Sequence, residues 1–338
     1  MHDMVKGCPT LTELPPPPAN KAGWPWTQGT PELQETMSDG RPWPRISIVT
    51  PSHNQGKFIE ETIRSVLLQG YPNLEYIVID GGSSDGSVDI IHKYERHITC
   101  WASEKDYGQS DALRKGFALA HGDIFGWINS DDVFAPGALQ AVAIAWICDR
   151  PALVAGTVEN FVDGQFGKKH MIFRQQNINL KNLLSPWLSG VIWHQPGILY
   201  SADLYRKVGG IDPQWHRKMD YDLFLRMLAQ DDRVVYISQT IAYFRQHSGA
   251  KTAIHTPMEI QEHHQVTAAY LDRLPQVHLI RLRTYYAYTS FVMLVKRLLL
   301  GQWEYARGHM KLLTQVLCPI VTVLMIVWIA RYLREKVQ

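Results

Sequence analysis

Between residues 46 and 147, short apolar runs alternate with stretches whose apolar positions recur at helical spacing. Ile46-Ser47-Ile48-Val49-Thr50 reads as a short buried strand. Residues 57–69 place Phe58, Ile63, Val66 and Leu67 on one helical face. A second strand over 74–79 runs into Asp80-Gly81-Gly82. The pattern continues as a helix over 87–94, a strand over 98–102, and a helix over 108–120 stopped by Gly122. A strand over 124–128 and a helix over 136–147, with proline at its start, close the series. Strands alternating with helices imply a mainly parallel sheet flanked by helices, whose ligands gather beyond the carboxyl ends of the strands. The polar clusters of this region fall at those ends.

Past this region the pattern changes. Residues 153–173 are shorter and broken by glycine, as in hairpins, and 187–200 carry Trp193-His194-Gln195-Pro196. A helix over 218–229 begins at Asp220 and Asp222, and a strand covers 234–237. Beyond Pro257 the chain reads as helical, with amphipathic stretches over 259–271 and 279–300. At the other end, Pro15 to Pro18 with Trp24, Pro25, Trp26, Pro42 and Pro44 predict an extended arm outside the packed core, its tryptophans pinning it to the surface. The expected division is an arm over 1–44, an α/β domain over 45–256 and a helical region over 257–338.

Residues 312–330 are roughly 19 positions without a charge, about the length that crosses a bilayer as a helix. Lys311 precedes them, and Arg331, Arg334 and Lys336 follow. A membrane-embedded or membrane-spanning helix is expected; the alternative is a buried helix packed on the one before it. Basic residues on both flanks leave the orientation open.

Composition narrows the classes. The chain has 338 residues, 46% hydrophobic and 20% charged, which fits a globular protein with a full core. A formal net charge of +2 gives no field that would select nucleic acid. Cys8, Cys100, Cys148 and Cys318 lack CxxC spacing, so a reducing compartment is the simpler reading and neither a disulfide framework nor a cysteine zinc site is expected. The first residues show no secretory leader pattern.

The candidate chemistry lies in the strand-end clusters. Asn129-Ser130-Asp131-Asp132 follows an apolar strand, and acids crowded there repel unless a cation or donor neutralises them. Mg²⁺ or Mn²⁺ would do so, taking oxygen ligands and bridging to phosphate; a helix cap by Asp132 is the alternative. Asp80-Gly81-Gly82-Ser83-Ser84-Asp85-Gly86 permits close backbone approach, with Asp80 or Asp85 free to bond a base or ribose, or is a solvated turn. Asp106-Tyr107-Gly108-Gln109-Ser110-Asp111-Ala112 either sets N–H groups and Asp106 near a nucleotide or simply starts a helix. Arg245, His247 and Lys251 form a loop that could clamp a diphosphate, or an ordinary surface loop.

Taken in order, these pieces resemble the inverting family 2 glycosyltransferases with the GT-A fold. Ile46 to Asn54 looks like the first strand and its loop; the Asp80, Asp106 and Asn129 clusters match the next three motifs; Gly209-Gly210-Ile211-Asp212 and Met219-Asp220-Tyr221-Asp222-Leu223 resemble the stretch ending in the catalytic acid. The likeness runs from about Ile46 to Lys251. It implies a Rossmann-like α/β domain, with Pro51, Asn54, Asp80, Asp106 and Asp131 at the nucleotide and Asp80 reading the base. It further implies a Mn²⁺ or Mg²⁺ ion held by Asp131, Asn129 and His247, with His247 and Lys251 at the diphosphate and His194 and Gln195 toward the acceptor. Asp220 would be the general base, with Asp222 its rival. Two positions depart from the pattern: Asn129 stands where aspartate is usual, and Met219 where glutamate often precedes the base.

The expected activity is metal-dependent, inverting transfer of a sugar from a nucleotide sugar, a UDP-sugar by expectation, to a glycan or lipid-linked acceptor. The expected setting is cell-surface polysaccharide biosynthesis at the cytoplasmic face of a membrane, in a bacterium the inner one. The alternatives are a nucleotidyltransferase and a membrane-tethered protein that binds nucleotide sugars without turnover.

Overall fold

The computed structural model describes residues 7–162, 171–185, 189–247, 249–250 and 257–270, with short helical pieces between 287 and 311. The chain divides into two compact units, Met1–Ser248 and Gly249–Gln338.

The first unit is built on one sheet. Its opening elements are β1 (Ile46–Ser52), α1 (Ile59–Leu67), β2 (Leu74–Asp80), α2 (Ser87–Tyr94), β3 (Cys100–Ser103), α3 (Gln109–Ala118) and β4 (Ile124–Trp127). Then come β5 (Val133–Phe134), α4 (Ala138–Asp149), β6 (Leu153–Val162), β7 (Ile172–Phe173) and α5 (Leu180–Leu184). A short 3₁₀ turn at Gln195–Gly197 leads to β8 (Ile198–Ser201), α6 (Ala202–Lys207), α7 (Met219–Leu228) and β9 (Val234–Gln246). In the second unit α8 spans Pro257–Ala268.

The strand order is β3-β2-β1-β4-β8-β6-β9-β5, with β7 paired to β6. Strands β1 to β4 are mutually parallel, as the alternation of strands and helices predicts. Strand β8 runs antiparallel to both β4 and β6, and β9 runs parallel to β6. It follows that β1, β2, β3, β4, β6 and β9 all end at the same edge of the sheet, and β8 begins there.

Side chains alternate across this sheet with the period of the pleat. Ile46, Ile48, Tyr76 and Val78 join a core with α1, α2 and α4 residues such as Ile63, Ile91 and Val142. On the other face Phe125 and Trp127 pack with Phe117, Tyr200, Tyr205 and Phe224 in a cluster of aromatic rings. Helix α3 lies so close to the sheet that a Cβ on Gly116 would sit 2.5 Å from the Val49 side chain.

Helix α1 has a second, polar buried face. Glu61, Thr62 and Ser65, with Gln69 in the turn just past the helix end, are all buried on one side. Thr62 Oγ1 donates to Asp132 O at 2.6 Å, Phe134 N donates to Ser65 Oγ at 3.1 Å, and Gln69 Nε2 donates to Ala135 O at 3.0 Å. These bonds fasten the chain just after β4 along the helix.

Three expectations are corrected. Residues 153–173 do hold an antiparallel pair, β6 with β7, but β6 is a ten-residue strand longer than the broken pattern suggests, and β9 runs thirteen residues and not four. The cause is shared: β6 and β9 pair along their length with register irregularities near Gly156 and Thr157, which carry the ladder past the polar stretch Ser238-Gln239-Thr240. The N-terminal arm is packed and not loose. Leu14 belongs to the core, and buried Arg64 of α1 donates to Pro15 O, Pro25 O and Trp26 O. A proline-rich segment cannot pair its carbonyls as a helix or central strand would, so a buried guanidinium supplies the donors.

No helix among the described residues is long and apolar enough to cross a membrane, and the segment 312–330 lies outside those residues.

Candidate active site

The edge at which six strands end collects the candidate side chains. Asn54 follows β1, Asp80 ends β2, Asp106 follows β3, Asp131 follows β4 and His247 follows β9, while His194 and Gln195 lead into β8.

The loops after β1 and β2 clasp each other. Asn54, with a left-handed φ of 52°, donates its N–H to Ser83 Oγ at 2.7 Å and accepts from Ser84 N at 2.9 Å. Pro51 lies in β1 opposite Ile79, buried within the sheet. The Asp80 carboxylate is fully buried and accepts from Gly82 N, Ser83 N, Ser83 Oγ and Ser103 Oγ. Three of these donors reach Oδ2 and one reaches Oδ1, so Asp80 holds the β2 turn to β3. Asp106 sits directly over this turn: a Cβ on Gly81 would lie 2.8 Å from its carboxylate, and its Oδ1 accepts from Gly108 N at 2.8 Å.

The acidic loop after β4 splits the roles of its members. Asp132 is buried, accepting from Arg245 N at 3.0 Å and Asn129 Nδ2 at 3.3 Å. Burial and the neighbouring Asp131 charge push its carboxyl well above the usual range. Asp131, 18% exposed, meets His247 Nε2 at 2.9 Å. Asn129, expected as a metal ligand, has its Oδ1 engaged by Gln109 Nε2 at 2.7 Å and its amide turned to Asp132.

Among the described residues no group of three or more His, Cys, Asp or Glu is arranged to hold a metal ion. The side chains that meet here are Asp131 and His247. Mg²⁺ sites that take most of their ligands from phosphate and water need only one or two protein carboxylates. The pair fits that mode, and it does not fit an all-protein cage. Lys251 lies outside the described residues.

Helix α7 brings Asp220 to the same edge. Ser110, next to the Gln109 that bonds Asn129, lies 2.8 Å from the Met219 sulfur and donates to Trp215 O. Asp220 is partly exposed, and its Oδ1 accepts from Tyr221 N at 2.8 Å. Asp222 is different in kind. It is buried, and its Oδ2 accepts from Arg226 Nε and Nη2, while Arg226 also donates to Val208 O and Gly210 O. Desolvation raises the Asp222 carboxyl although Arg226 pulls the other way. It works as a strut between α7 and the Gly209-Gly210 turn.

The two residues before β8 are less open than expected of acceptor contacts. Gln195 is buried and donates Nε2 to Trp127 O at 2.9 Å. The His194 ring packs between Phe173 and Phe244, and burial lowers its imidazole from 6.5 to about 4. The sequence reading missed Glu61, and it held Gln109 and Ser110 in the Asp106 cluster without a role of their own.

Comparison with known proteins agrees with this geometry. The profile of Glycosyl transferase family 2 matches residues 47–209. An uncharacterized glycosyltransferase of Rickettsia typhi is 25% identical over 71% of this chain and 76% of its own length. Another, of Mycobacterium tuberculosis, is 30% identical over 54% of this chain and 68% of its own. The O-antigen biosynthesis protein RfbC of Myxococcus xanthus is 24% identical over 71% of this chain, which spans 19% of that longer protein. Among solved structures, S. aureus TarS 1-349 in complex with UDP-GlcNAc shares the fold at a TM-score of 0.57 and 16% identity, covering 69% of each chain. A parallel sheet with its polar loops gathered at one edge, and relatives over most of that sheet, give the same answer: the chain belongs to glycosyl transferase family 2 and is a glycosyltransferase with a GT-A-like α/β fold.

Proposed function

We propose that this glycosyltransferase transfers a hexose from a UDP-sugar, with inversion, to a hydroxyl of a glycan or lipid-linked acceptor in the assembly of a cell-surface polysaccharide. The observation that carries the reading is the pairing of Asp131 with His247 at 2.9 Å, where β4 and β9 end. A pair of this kind suits a diphosphate and its divalent ion, and a partly exposed carboxylate suits proton abstraction.

Asp220 is the proposed general base. It takes the proton of the acceptor hydroxyl as that oxygen bonds the anomeric carbon, while the bond from that carbon to the diphosphate oxygen breaks with its electron pair leaving on the diphosphate. Attack opposite the leaving group inverts the centre. Asp131 and His247 would hold Mn²⁺ or Mg²⁺, which supplies positive charge to the departing diphosphate. Asn54, the Gly81-Gly82 turn and Asp106 bind and orient the nucleoside. UDP is favoured because the TarS structure that shares this fold holds UDP-GlcNAc. Polysaccharide assembly is favoured by the kinship with an O-antigen biosynthesis protein. The uncharged segment 312–330 supports action at a membrane surface, on its cytoplasmic face.

The test is a donor panel. The full chain is incubated with UDP-, GDP- and dTDP-sugars, with Mn²⁺ or with EDTA, and released nucleoside diphosphate is measured. UDP release that needs the metal supports the reading; pyrophosphate release, or turnover indifferent to EDTA, contradicts it.

A further inference from the structure

Arg245 is a cation with 1% of its surface exposed, set behind the Asp131–His247 pair. Its Nη2 donates to Glu61 Oε2 at 2.7 Å, and Glu61 is itself buried. Its Nε donates to Asp131 O at 2.8 Å, and its backbone N–H donates to Asp132 Oδ1 at 3.0 Å. The guanidinium lies over the rings of Phe58 and Phe161, 4.8 Å and 4.5 Å from their centroids. His247 is two positions further on, and its ring rests on that same Phe58 at 4.7 Å. The side chain thus holds the backbone of Asp131 and packs on the ring that supports His247, while the backbone N–H of the same residue holds the Asp132 carboxyl.

We propose that Arg245, anchored by Glu61, is a positioning residue that sets the facing geometry of Asp131 and His247, and through it the affinity for the nucleotide diphosphate, without touching the donor. The inference rests on the function proposed above for that pair. The chemistry favours arginine for this place. Its planar fork reaches Asp131 O and Glu61 together while its faces stack on two rings, and a lysine ammonium cannot do all three. Stability alone does not explain the arrangement, because a buried ion pair is often no better for folding than apolar residues of similar volume. Partners that orient a metal or diphosphate ligand typically contribute about 10- to 100-fold in affinity.

Two variants of the full chain separate the readings: Arg245→Lys, which keeps the charge, and the double variant Arg245→Met with Glu61→Leu, which removes the pair and leaves no orphaned charge. Each is compared with Val142→Ala, a core change on α4, for folding by circular dichroism and for UDP binding with Mn²⁺ by calorimetry. The expected result is a folded Arg245→Lys or double variant whose UDP Kd rises about 10- to 100-fold, while Val142→Ala binds as the wild type does. Folded variants that bind UDP within about twofold of wild type overturn the proposal. A wild type that binds no nucleotide defeats the functional reading, and hydrogen exchange then judges the positioning claim without ligand. Amides over 129–135 and 243–247 should exchange faster in Arg245→Lys with the rest of the chain unaltered; unchanged protection there overturns it.

Discussion

Asp220 and Asp222 stand on the same first turn of α7 and have opposite environments. The Asp222 carboxylate is spent on Arg226, which also gathers two carbonyls of the Gly209-Gly210 turn. Asp222→Asn should therefore lower stability by ~2 kcal/mol in a denaturant titration, with kcat of the folded protein within a few-fold of wild type. Asp220→Asn should do the reverse: kcat falls about 100- to 10,000-fold, while the unfolding midpoint and donor Kd hold. Loss of activity in Asp222→Asn alone would exchange the two assignments. His194 gives a pH signature at the same scale. Its folded value of about 4 lies below the ordinary 6.5, so the neutral ring's contribution is complete above the unfolded value and is lost as pH falls through the folded one. His194→Phe keeps the stacking on Phe173 and Phe244 and cannot charge. Its loss of stability between neutral pH and about pH 4 should be smaller than that of the wild type by at most ~3 kcal/mol, less for the ring's partial exposure. Parallel pH profiles of wild type and variant would contradict this.

At the scale of elements, α1 does two tasks with two faces. Its apolar face was legible in the sequence, since Ile63, Val66 and Leu67 recur at helical spacing. Its buried polar face was not, because Glu61, Thr62, Ser65 and Gln69 read as solvent-facing until the segment after β4 is laid against them. A pattern argument assigns polar positions to water, and here the partner that satisfies them is distant along the chain. The arm is illegible for the same reason: nothing near Pro15 or Pro25 announces that Arg64 of α1 will donate to their carbonyls. Arg64→Met should cost ~3 kcal/mol and open the arm before Ile46 to limited proteolysis, with the sheet domain left intact. An arm as protected as in the wild type would show that the tryptophans alone hold it. The extent of β9 was hidden by Ser238-Gln239-Thr240, polar residues inside a strand whose irregular pairing with β6 tolerates them.

For the molecule as a whole, the legible part was the first half of the sheet. From residues 46 to 128 the periodicity alone sets strands, helices and the edge at which ligands gather, and the site follows from where those strands end. The second half needed the pairing itself. Only the reversal at β8 shows that β6 and β9 return to the same direction, which brings His247, 116 positions away in sequence, to Asp131. Asn129 shows the limit of motif reading, since it stands in the motif but its side-chain oxygen is bonded to Gln109, whereas His247, just past β9, does meet Asp131. The most direct measurement of the central claim is calorimetric binding of UDP to the full chain with Mn²⁺, repeated for Asp131→Ala and His247→Ala. The account predicts saturable, EDTA-sensitive binding to the wild type, weakened at least about 10-fold by either substitution in a folded protein. Binding that is equally tight in all three proteins, or equally tight in EDTA, would contradict it.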